Sequence, residues 1–411
     1  MTRLLLALSA LAFFGVVLTV WYTPWNIYSS VAGQIHHSIK EVAPDVTRDF
    51  TSVQISREVA FLHDVRAWQL LRIAISIVLP LVAFWAFTIF FKSSLPTPSN
   101  VSWWLYGLFT LCVIRIASLP CDWMIRRQLI NYGLNTQSVT GWLSDVARSF
   151  ALSTPLILVL VALCVYASGL GTSSQIAIVP AVAGLLVVIF SFVLPVVVEP
   201  LFNSFTSLPD GALRTQLIDQ SRRMDIPITD VLVADASRRT NALNAYVSGF
   251  GSTRRIVLYD TVLNEMPTDE IVVVARHELA HAKYHDVLHA TLIGALFAAT
   301  AALGIVALLS TGKFAGRELA VVLTCFAVIS VLTAPLSNLV TRRVESRADV
   351  VALADSPVQD GYGAFIRMQQ RLATSNLSSL DPSPWIFAMF STHPTPPQRI
   401  AIARTIEMSA P

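Results

Sequence analysis

Residues 267–310 read PTDEIVVVARHELAHAKYHDVLHATLIGALFAATAALGIVALLS and join a polar motif to an apolar stretch. Pro267 and the acidic residues that follow are typical of a first helical turn, because Pro fits there and acids favour the positive end of the helix dipole. From Ile271 there is no Pro or Gly before Gly294. This spacing predicts one helix that continues into residues 287–310, a stretch long enough to cross a bilayer.

Composition identifies the whole chain as an integral membrane protein. Of its 411 residues, 54% are hydrophobic and 13% are charged, whereas soluble domains carry about 25% charged residues. The apolar excess excludes a disordered chain, four Cys are too few for a disulfide scaffold, and a net charge of +3 gives no indication of nucleic-acid binding. Seven apolar runs are long enough to span a bilayer as helices: 4–22, 73–91, 102–119, 150–170, 175–200, 287–310 and 319–340.

The distribution of basic residues predicts the orientation of the chain. With seven spans, the segments after spans one, three, five and seven lie on one side of the membrane. That side carries 24 of the 29 Lys and Arg residues, and the positive-inside rule places such a side in the cytosol. We therefore predict a multi-pass protein of a bacterial plasma membrane, or alternatively of the endoplasmic reticulum, with its polar segments in the cytosol.

Four regions follow from this topology. Residues 1–200 form an N-terminal membrane region with five spans, and residues 287–340 form a two-span membrane hairpin. The polar segments 201–286 and 341–411 are each too small for a sizeable domain, so we predict that the hairpin brings them together as one small α+β domain. The first polar segment contains three predicted strands, of which the last two form a β-hairpin: 231–234, 245–249 and 255–259.

His277-Glu278-Leu279-Ala280-His281 has the HExxH spacing of a zinc site. Two His four residues apart lie on one face of a helix and can hold one Zn²⁺. The Glu beside the first His can act as the general base toward an attacking water. The alternative interpretation is an exposed polar helix face on which two His residues coincide.

A third ligand is predicted after the seventh span, because a catalytic zinc site uses three protein side chains. Residues 343–353 read RVESRADVVAL and predict a second helix just past that span. Glu345 and Asp349 are four residues apart, so both can face the HExxH helix. Glu345 can then ligate zinc while Asp349 orients a ligating His. The alternative is a solvated pair of acids balanced by the neighbouring arginines.

With these motifs in this order, the chain resembles the membrane-embedded zinc metalloproteases of the type-I CAAX prenyl endopeptidase family. The resemblance extends along most of the chain and includes the HExxH motif and the helix that carries Glu345. The further stretches that carry it are YGLNTQ at 132–137, EPLFN at 199–203, NAY at 244–246, RIVLYD at 255–260 and STHP at 391–394.

The resemblance implies a seven-helix membrane protein with a water-filled intramembrane chamber. It also implies a small zincin-like (gluzincin) catalytic domain on the cytosolic side. One Zn²⁺ per chain would be held by His277, His281 and Glu345. Glu278 would then be the general base of peptide hydrolysis.

Two further groups of residues acquire roles only through this resemblance. His393 and Arg399 would help to stabilise the tetrahedral intermediate of hydrolysis. Asn244, Ala245 and Tyr246 would bind the substrate backbone as an added β-strand. Both groups lie in the polar segments that are predicted to be in the cytosol.

These features predict a zinc-dependent endopeptidase that cleaves membrane-associated or prenylated proteins close to the cytosolic membrane surface. Two alternatives stay open at this point. One is a bacterial protease of the heat-shock type that degrades damaged membrane proteins, a class with fewer spans. The other is a non-catalytic membrane transporter or scaffold with a vestigial zinc site.

Overall fold

The computed structural model describes residues 2–31, 39, 41–90, 100–314, 317–354 and 360–409. Within these ranges, seven helices are long and apolar enough to cross a membrane, as predicted. The long helices are α1 (Thr2–Tyr22), α3 (Ser52–Phe90), α4 (Val101–Asn131), α5 (Val139–Ser168), α6 (Thr172–Phe202), α10 (Asp286–Leu309) and α11 (Glu318–Leu353). The short helices are α2 (Val46–Asp49), α7 (Ala212–Arg223), α8 (Asp260–Glu265), α9 (Thr268–Lys283), α12 (Gly361–Asn376), α13 (Pro384–Phe390) and α14 (Pro396–Ser409). The strands are β1 (Phe205–Ser207), β2 (Asp230–Ala234), β3 (Ala245–Ser248) and β4 (Arg255–Tyr259).

The long helices expose large apolar side chains, as expected of a surface that faces lipid. Leu6 and Phe13 of α1, Leu105 of α4 and Tyr166 of α5 are each at least 60% exposed. Water-soluble monomers rarely expose apolar patches on this scale. The helices therefore form a multi-pass membrane region in which lipid covers the apolar faces.

Helix α3 begins well before the predicted start of the second span at residue 73. No helix was predicted for residues 52–72, which lie before that span. Phe61 and Val65, four residues apart on α3, pack against Leu134 and Leu377. Polar residues separate these buried positions, so no continuous apolar run marks the helix. The predicted end of this span, Phe91, lies outside the described residues.

The four strands form one sheet in the order β1-β2-β4-β3. β2 and β4 are parallel, while β3 and β4 form the predicted antiparallel hairpin. The hairpin turn depends on Gly249, whose φ is 85° and where a Cβ would lie 2.3 Å from the Thr253 carbonyl oxygen. β1 was not predicted from the sequence. β3 is left at the edge of the sheet.

The two polar segments fold around a single hydrophobic core. Leu217, Val231 and Leu279 contribute to it from the first segment. Phe365 and Met368 of α12 contribute from the second segment and are almost fully buried. The sheet and α9 are thereby packed against helices that follow the two-span hairpin in the chain.

The HExxH helix is not continuous with the sixth span, so this prediction was wrong. α9 ends at Lys283, His285 has a left-handed backbone with φ 54° and ψ 37°, and α10 begins at Asp286. This conformation costs a non-glycine residue about 1–2 kcal/mol. Arg347 of α11 holds the break, because its guanidinium lies 4.3 Å from the centre of the Tyr284 ring and pairs with Asp286. No Pro or Gly marks such a break in the sequence.

The helix that carries Glu345 is not separate from the seventh span. α11 is one helix from Glu318 to Leu353, with Pro335 inside it. The sequence suggested two helices because the apolar run ends near residue 340 and charged residues follow. Hydropathy changes there, whereas the backbone hydrogen bonding of the helix continues. Glu345 and Asp349 are thus carried on the polar end of a membrane helix.

Two adjacent acids at the start of α9 differ in burial, and we predict that they differ in their contribution to stability. Glu270 is fully buried and accepts two hydrogen bonds from Arg371, of 2.7 and 3.2 Å, whereas Asp269 pairs with Arg367 at the surface. Glu270→Gln should lower the free energy of unfolding by about 2 kcal/mol, because it weakens the two charge-assisted hydrogen bonds that the buried carboxylate accepts from the partly exposed Arg371. The matched Asp269→Asn change should cost less than about 1 kcal/mol. Unfolding in detergent measures both, and equal losses would contradict the prediction.

Candidate active site

Helices α9 and α11 bring together the three predicted metal ligands, His277, His281 and Glu345. One donor atom from each lies within 4.8 Å of the others. The Nε2 atom of His277 lies 3.1 Å from Oε2 of Glu345 and 3.2 Å from Nε2 of His281. Nε2 of His281 lies 3.5 Å from Oε1 of Glu345. A tetrahedral zinc site with bonds of about 2.0–2.1 Å separates its ligand atoms by about 3.3–3.4 Å, so the spacing fits zinc.

The other nitrogen of each histidine ring contacts a carboxylate. Nδ1 of His277 lies 3.0 Å from Asp349, and Nδ1 of His281 lies 2.9 Å from Asp286. A carboxylate only accepts hydrogen bonds, so each Nδ1 carries a proton, and each Nε2, which faces Glu345, presents a lone pair whenever it is unprotonated. Such a convergence of lone pairs and carboxylate oxygens is unfavourable unless a positive charge lies among them. The donor set therefore fits a bound metal cation.

The carboxylates around His277 also favour its protonated, positively charged form, and they raise its pKa. Burial lowers this pKa, but the hydrogen bonds with Asp349 and Glu345 outweigh burial and raise it to about 10. A proton can thus supply the charge that the acceptor atoms require. A metal ion that binds here must displace that proton, which couples metal binding to proton release.

Glu278 is placed beside the ligands but is not one of them. Together with His281 it lines a cavity of about 320 Å³. No donor among the described residues hydrogen-bonds to its carboxylate. Burial raises the pKa of Glu278, with nearby His277 acting in the opposite direction. A raised pKa suits a carboxylate that accepts a proton and returns it near neutral pH.

His393 and Arg399 also lie at the site, on the loop before α14 and on α14. Nε2 of His393 lies 3.5 Å from Oε2 of Glu345, and 56% of its side chain is exposed. Arg399 forms a two-pronged ion pair with Asp349, with Nε–Oδ2 and Nη2–Oδ1 distances of 2.8 and 2.5 Å. Arg399 therefore contacts His277 both through Asp349 and directly, with Nη2 lying 3.4 Å from Nδ1 of His277. The Nδ1 atom of His393 is hydrogen-bonded with the Thr392 hydroxyl at 2.9 Å, and its Nε2 atom faces Glu345.

The predicted substrate-binding residues Asn244, Ala245 and Tyr246 lie just before and within β3. This edge strand packs beside α9 and pairs with β4, and within the described sheet no strand covers its other edge. Glu199, at the end of α6, anchors β3 by accepting a hydrogen bond of 3.3 Å from the Ser248 hydroxyl. An edge strand of this kind can bind an extended peptide as an added strand.

Two cavities flank the ligands along β3. The larger, of about 680 Å³, is lined by Asn244 and Ala245 at the start of β3, and by His393. The smaller is lined by Ser248 at the end of β3, and by Glu278. One cavity thus lies at the start of β3 beside His393, and the other lies at its end beside Glu278 and His281.

Sequence reasoning missed Asp286, the residue that orients His281. It lies five residues after His281 and would point away from it on a continuous helix. The break at His285 turns Asp286 back, so that its carboxylate meets Nδ1 of His281 and also pairs with Arg347. The only local signal was an acid closely following HExxH.

Arg276 is a second positioning residue that was missed. Its Nε donates to the Ala352 carbonyl at 2.9 Å, and its Nη2 donates to the Ala354 carbonyl. The last carbonyls of a helix have no partner within it, so this buried guanidinium caps the end of α11. Its Nη1 donates to Gln220 at 2.7 Å. Arg276 thereby fixes the helix of Glu345 against the HExxH helix.

Comparison with known proteins gives the family. The profile described as "Peptidase family M48" matches residues 207–407. The profile described as "CAAX prenyl protease N-terminal, five membrane helices" matches residues 129–204. The uncharacterized metalloprotease YhfN of Bacillus subtilis is 31% identical over an alignment of 318 positions that covers 73% of this chain and 73% of YhfN. The chain belongs to peptidase family M48.

Two further similarities extend this M48 assignment. The CAAX prenyl protease 1 homolog of Arabidopsis thaliana is 29% identical over 66% of this chain and 65% of the relative. The crystal structure of S. mikatae Ste24p has the same fold, with a TM-score of 0.68, 20% identity, and coverage of 97% of this chain and 98% of that one. This M48 member is a membrane metalloendopeptidase of the CAAX prenyl protease family. The predicted family, fold class and enzyme class are confirmed.

Proposed function

We propose that this protein is a zinc-dependent endopeptidase that cleaves membrane-associated or prenylated proteins close to the membrane surface. The observation that carries the proposal is the convergence of His277, His281 and Glu345 beside the carboxylate of Glu278. The edge strand β3 passes the same point and offers a peptide-binding surface. Metal, base and substrate strand would thus meet at one place.

The donor set favours zinc over other common metals, with one ion per chain. Two imidazoles and one carboxylate are typical of catalytic zinc sites, whereas Mg²⁺ and Ca²⁺ prefer oxygen ligands. When bound, zinc polarises the scissile carbonyl and lowers the pKa of the attacking water. Asp349 and Asp286 would hold the two histidine rings in the orientation that this requires.

The side chains around the ligands would carry the remaining steps. Glu278 takes the proton from the attacking water and passes it to the leaving amine as the peptide bond breaks. His393 donates a hydrogen bond to the oxyanion that develops on the scissile carbonyl. Arg399 acts on His277 through Asp349 and through its own contact with Nδ1 of that ring. Asn244, Ala245 and Tyr246 align the substrate backbone along β3.

The smaller cavity supports a substrate with an apolar or lipidated segment. Phe192 of α6 and Phe250 of the β-hairpin turn meet in it, with ring centres 5.3 Å apart. Val287 and Leu288 of α10 also line this cavity, together with Glu278. Prenylated C-terminal C-a-a-X sequences are one such substrate class, and we propose CAAX-type processing as the leading activity.

Topology distinguishes this proposal from the alternatives. Seven candidate spans and the match to the CAAX prenyl protease N-terminal profile support it over the shorter heat-shock proteases. The placement of Glu278 beside the ligands supports it over a scaffold with a vestigial metal site. With 24 of the 29 basic residues on one side, we propose a plasma-membrane protein whose catalytic segments face the cytosol.

Metal removal and reconstitution test the proposed activity directly. The purified protein in detergent should contain one zinc per chain by mass spectrometry and should cleave a prenylated CAAX peptide. A chelator should abolish cleavage, and Zn²⁺ should restore it while Mg²⁺ should not, because the donor set disfavours Mg²⁺. Full cleavage by protein shown to be metal-free would rule out the zinc mechanism. Cleavage of unprenylated membrane proteins alone would favour the quality-control alternative.

A further inference from the structure

We propose that Arg66 of α3 binds the C-terminal carboxylate of the substrate in the larger of the two cavities. This proposal rests on the proposed CAAX-type function and identifies the group that would recognise the end of the substrate chain. It concerns a residue that lies far from the metal ligands in sequence and has no part in the chemical step.

The larger cavity lies where the end of a bound substrate would project. It adjoins β3 at Asn244 and Ala245 and the ligand cluster at His393, and Arg66 forms part of its wall from α3. Its volume of about 680 Å³ is typical of a site for a small ligand or a short peptide. A peptide aligned on β3 would continue into it.

The charged side chains of this cavity are all basic. Arg66, Arg72, His393 and Arg399 line it, and no Asp or Glu does so among the described residues. Two of these arginines already form ion pairs with acids. Arg72 pairs with Asp122 at 3.1 Å, and Arg399 pairs with Asp349. A negatively charged ligand group is therefore the chemistry that this cavity would accept.

Arg66 differs from the other two arginines in its hydrogen bonding. Its Nη1 atom is buried and has no hydrogen-bond partner within the described part of the chain. Glu58, two turns earlier on α3, attracts it, but the hydrogen bonds of Glu58 are made with Ser379 and Leu380. A buried donor without a partner is unfavourable, and a carboxylate matches the fork of a guanidinium.

The contrast between the two cavities sets the direction of the substrate. The smaller cavity has a mixed lining in which Glu199 and Glu278 accompany Arg254, two histidines and apolar residues. The larger cavity has arginines and no Asp or Glu among the described residues, so it is the better match for a terminal carboxylate. β3 runs from the larger cavity at Ala245 to the smaller cavity at Ser248. A substrate whose C-terminus lies in the larger cavity would therefore run antiparallel to β3.

The length of the motif limits how far the terminal carboxylate can lie from the scissile bond. C-a-a-X sequences end the chain, so cleavage within them leaves at most three residues after the scissile bond. Three extended residues span about 10 Å. Recognition of the terminal carboxylate would place the scissile bond at a fixed distance from the end of the chain.

Three peptides of one CAAX-type sequence test the proposal with the purified full-length protein. One has a free C-terminal carboxylate, one is amidated, and one is extended by two residues. The wild-type protein should show a kcat/KM for the free carboxylate that is roughly 10- to 100-fold higher than for either other peptide. Arg66→Gln should abolish this preference, and Arg66→Lys, which keeps the charge, should retain part of it.

The preference is a ratio measured within each variant, so it does not depend on the amount of folded protein. Arg57→Gln is the matched control, because Arg57 lies on the same helix, is exposed, and donates to the Tyr132 carbonyl instead. It should keep the wild-type preference. Equal cleavage of the three peptides by the wild type, or an unchanged preference in Arg66→Gln, would overturn the proposal while leaving the protease function intact. Failure to cleave any of the peptides would overturn the proposed function as well.

Discussion

Glu278→Gln protein should keep its metal and cleave peptides roughly 10³-fold more slowly than the wild type. Gln has the size and shape of Glu but cannot take a proton from the attacking water. The carboxylate of Glu278 lies beside the ligands and is not one of the three donor atoms that converge. Metal content by mass spectrometry and single-turnover cleavage measure the two effects separately.

The control for this variant is Glu265→Gln, which removes the same charge from an exposed position at the end of α8. It should leave both metal content and turnover unchanged. Undiminished turnover in Glu278→Gln would eliminate Glu278 as the general base. Loss of the metal from Glu278→Gln would instead indicate that this residue takes part in coordination.

Asp286→Ala should weaken metal binding by roughly 10- to 100-fold. Asp286 accepts the Nδ1–H of His281 at 2.9 Å and is itself held by Arg347 of α11. Without this carboxylate, the His281 ring is free to rotate and becomes a weaker donor. Competition with a metal-binding dye measures the affinity independently of peptide cleavage.

Two further variants make this result specific. Asp286→Asn keeps an acceptor oxygen for Nδ1 of His281 and should retain much of the affinity. Asp219→Ala removes a surface acid that pairs only with Arg222 at 3.3 Å, and it should have no effect. If Asp286→Ala bound metal as tightly as Asp219→Ala, the carboxylate would have no role in orienting His281.

The predictions that succeeded depended on short-range chemistry. A span needs about 20 apolar residues in succession, and each of the seven helices carries such a run. The β3–β4 hairpin was predicted from two strand-like runs with a Gly-rich connection. His277 and His281 are one helical turn apart, so their spacing alone predicted that both side chains lie on one face of the helix, and their Nε2 atoms lie 3.2 Å apart.

The predictions that failed concerned places where tertiary contacts override local pattern. The break at His285 has no Pro or Gly and is held by Arg347, a residue 62 positions later in the chain. The first half of α3 lacks an apolar run, yet it is helical because Phe61 and Val65 pack against distant segments. The helix of Glu345 merged with the seventh span because a change in hydropathy does not end a helix.

The sequence by itself indicated the seven spans, the three candidate ligands and the candidate general base, because each was recognised from residue type and from spacing within one short stretch of the chain. Only the tertiary structure decided that Asp286 contacts His281 and that the guanidinium of Arg276 caps the helix of Glu345. It also decided that Arg66, in the larger cavity, has a buried Nη1 without a hydrogen-bond partner among the described residues. These relations join residues that lie far apart in the chain or on opposite sides of a helix break. Local periodicity carries no information about such pairs, whereas packing around a shared core fixes them.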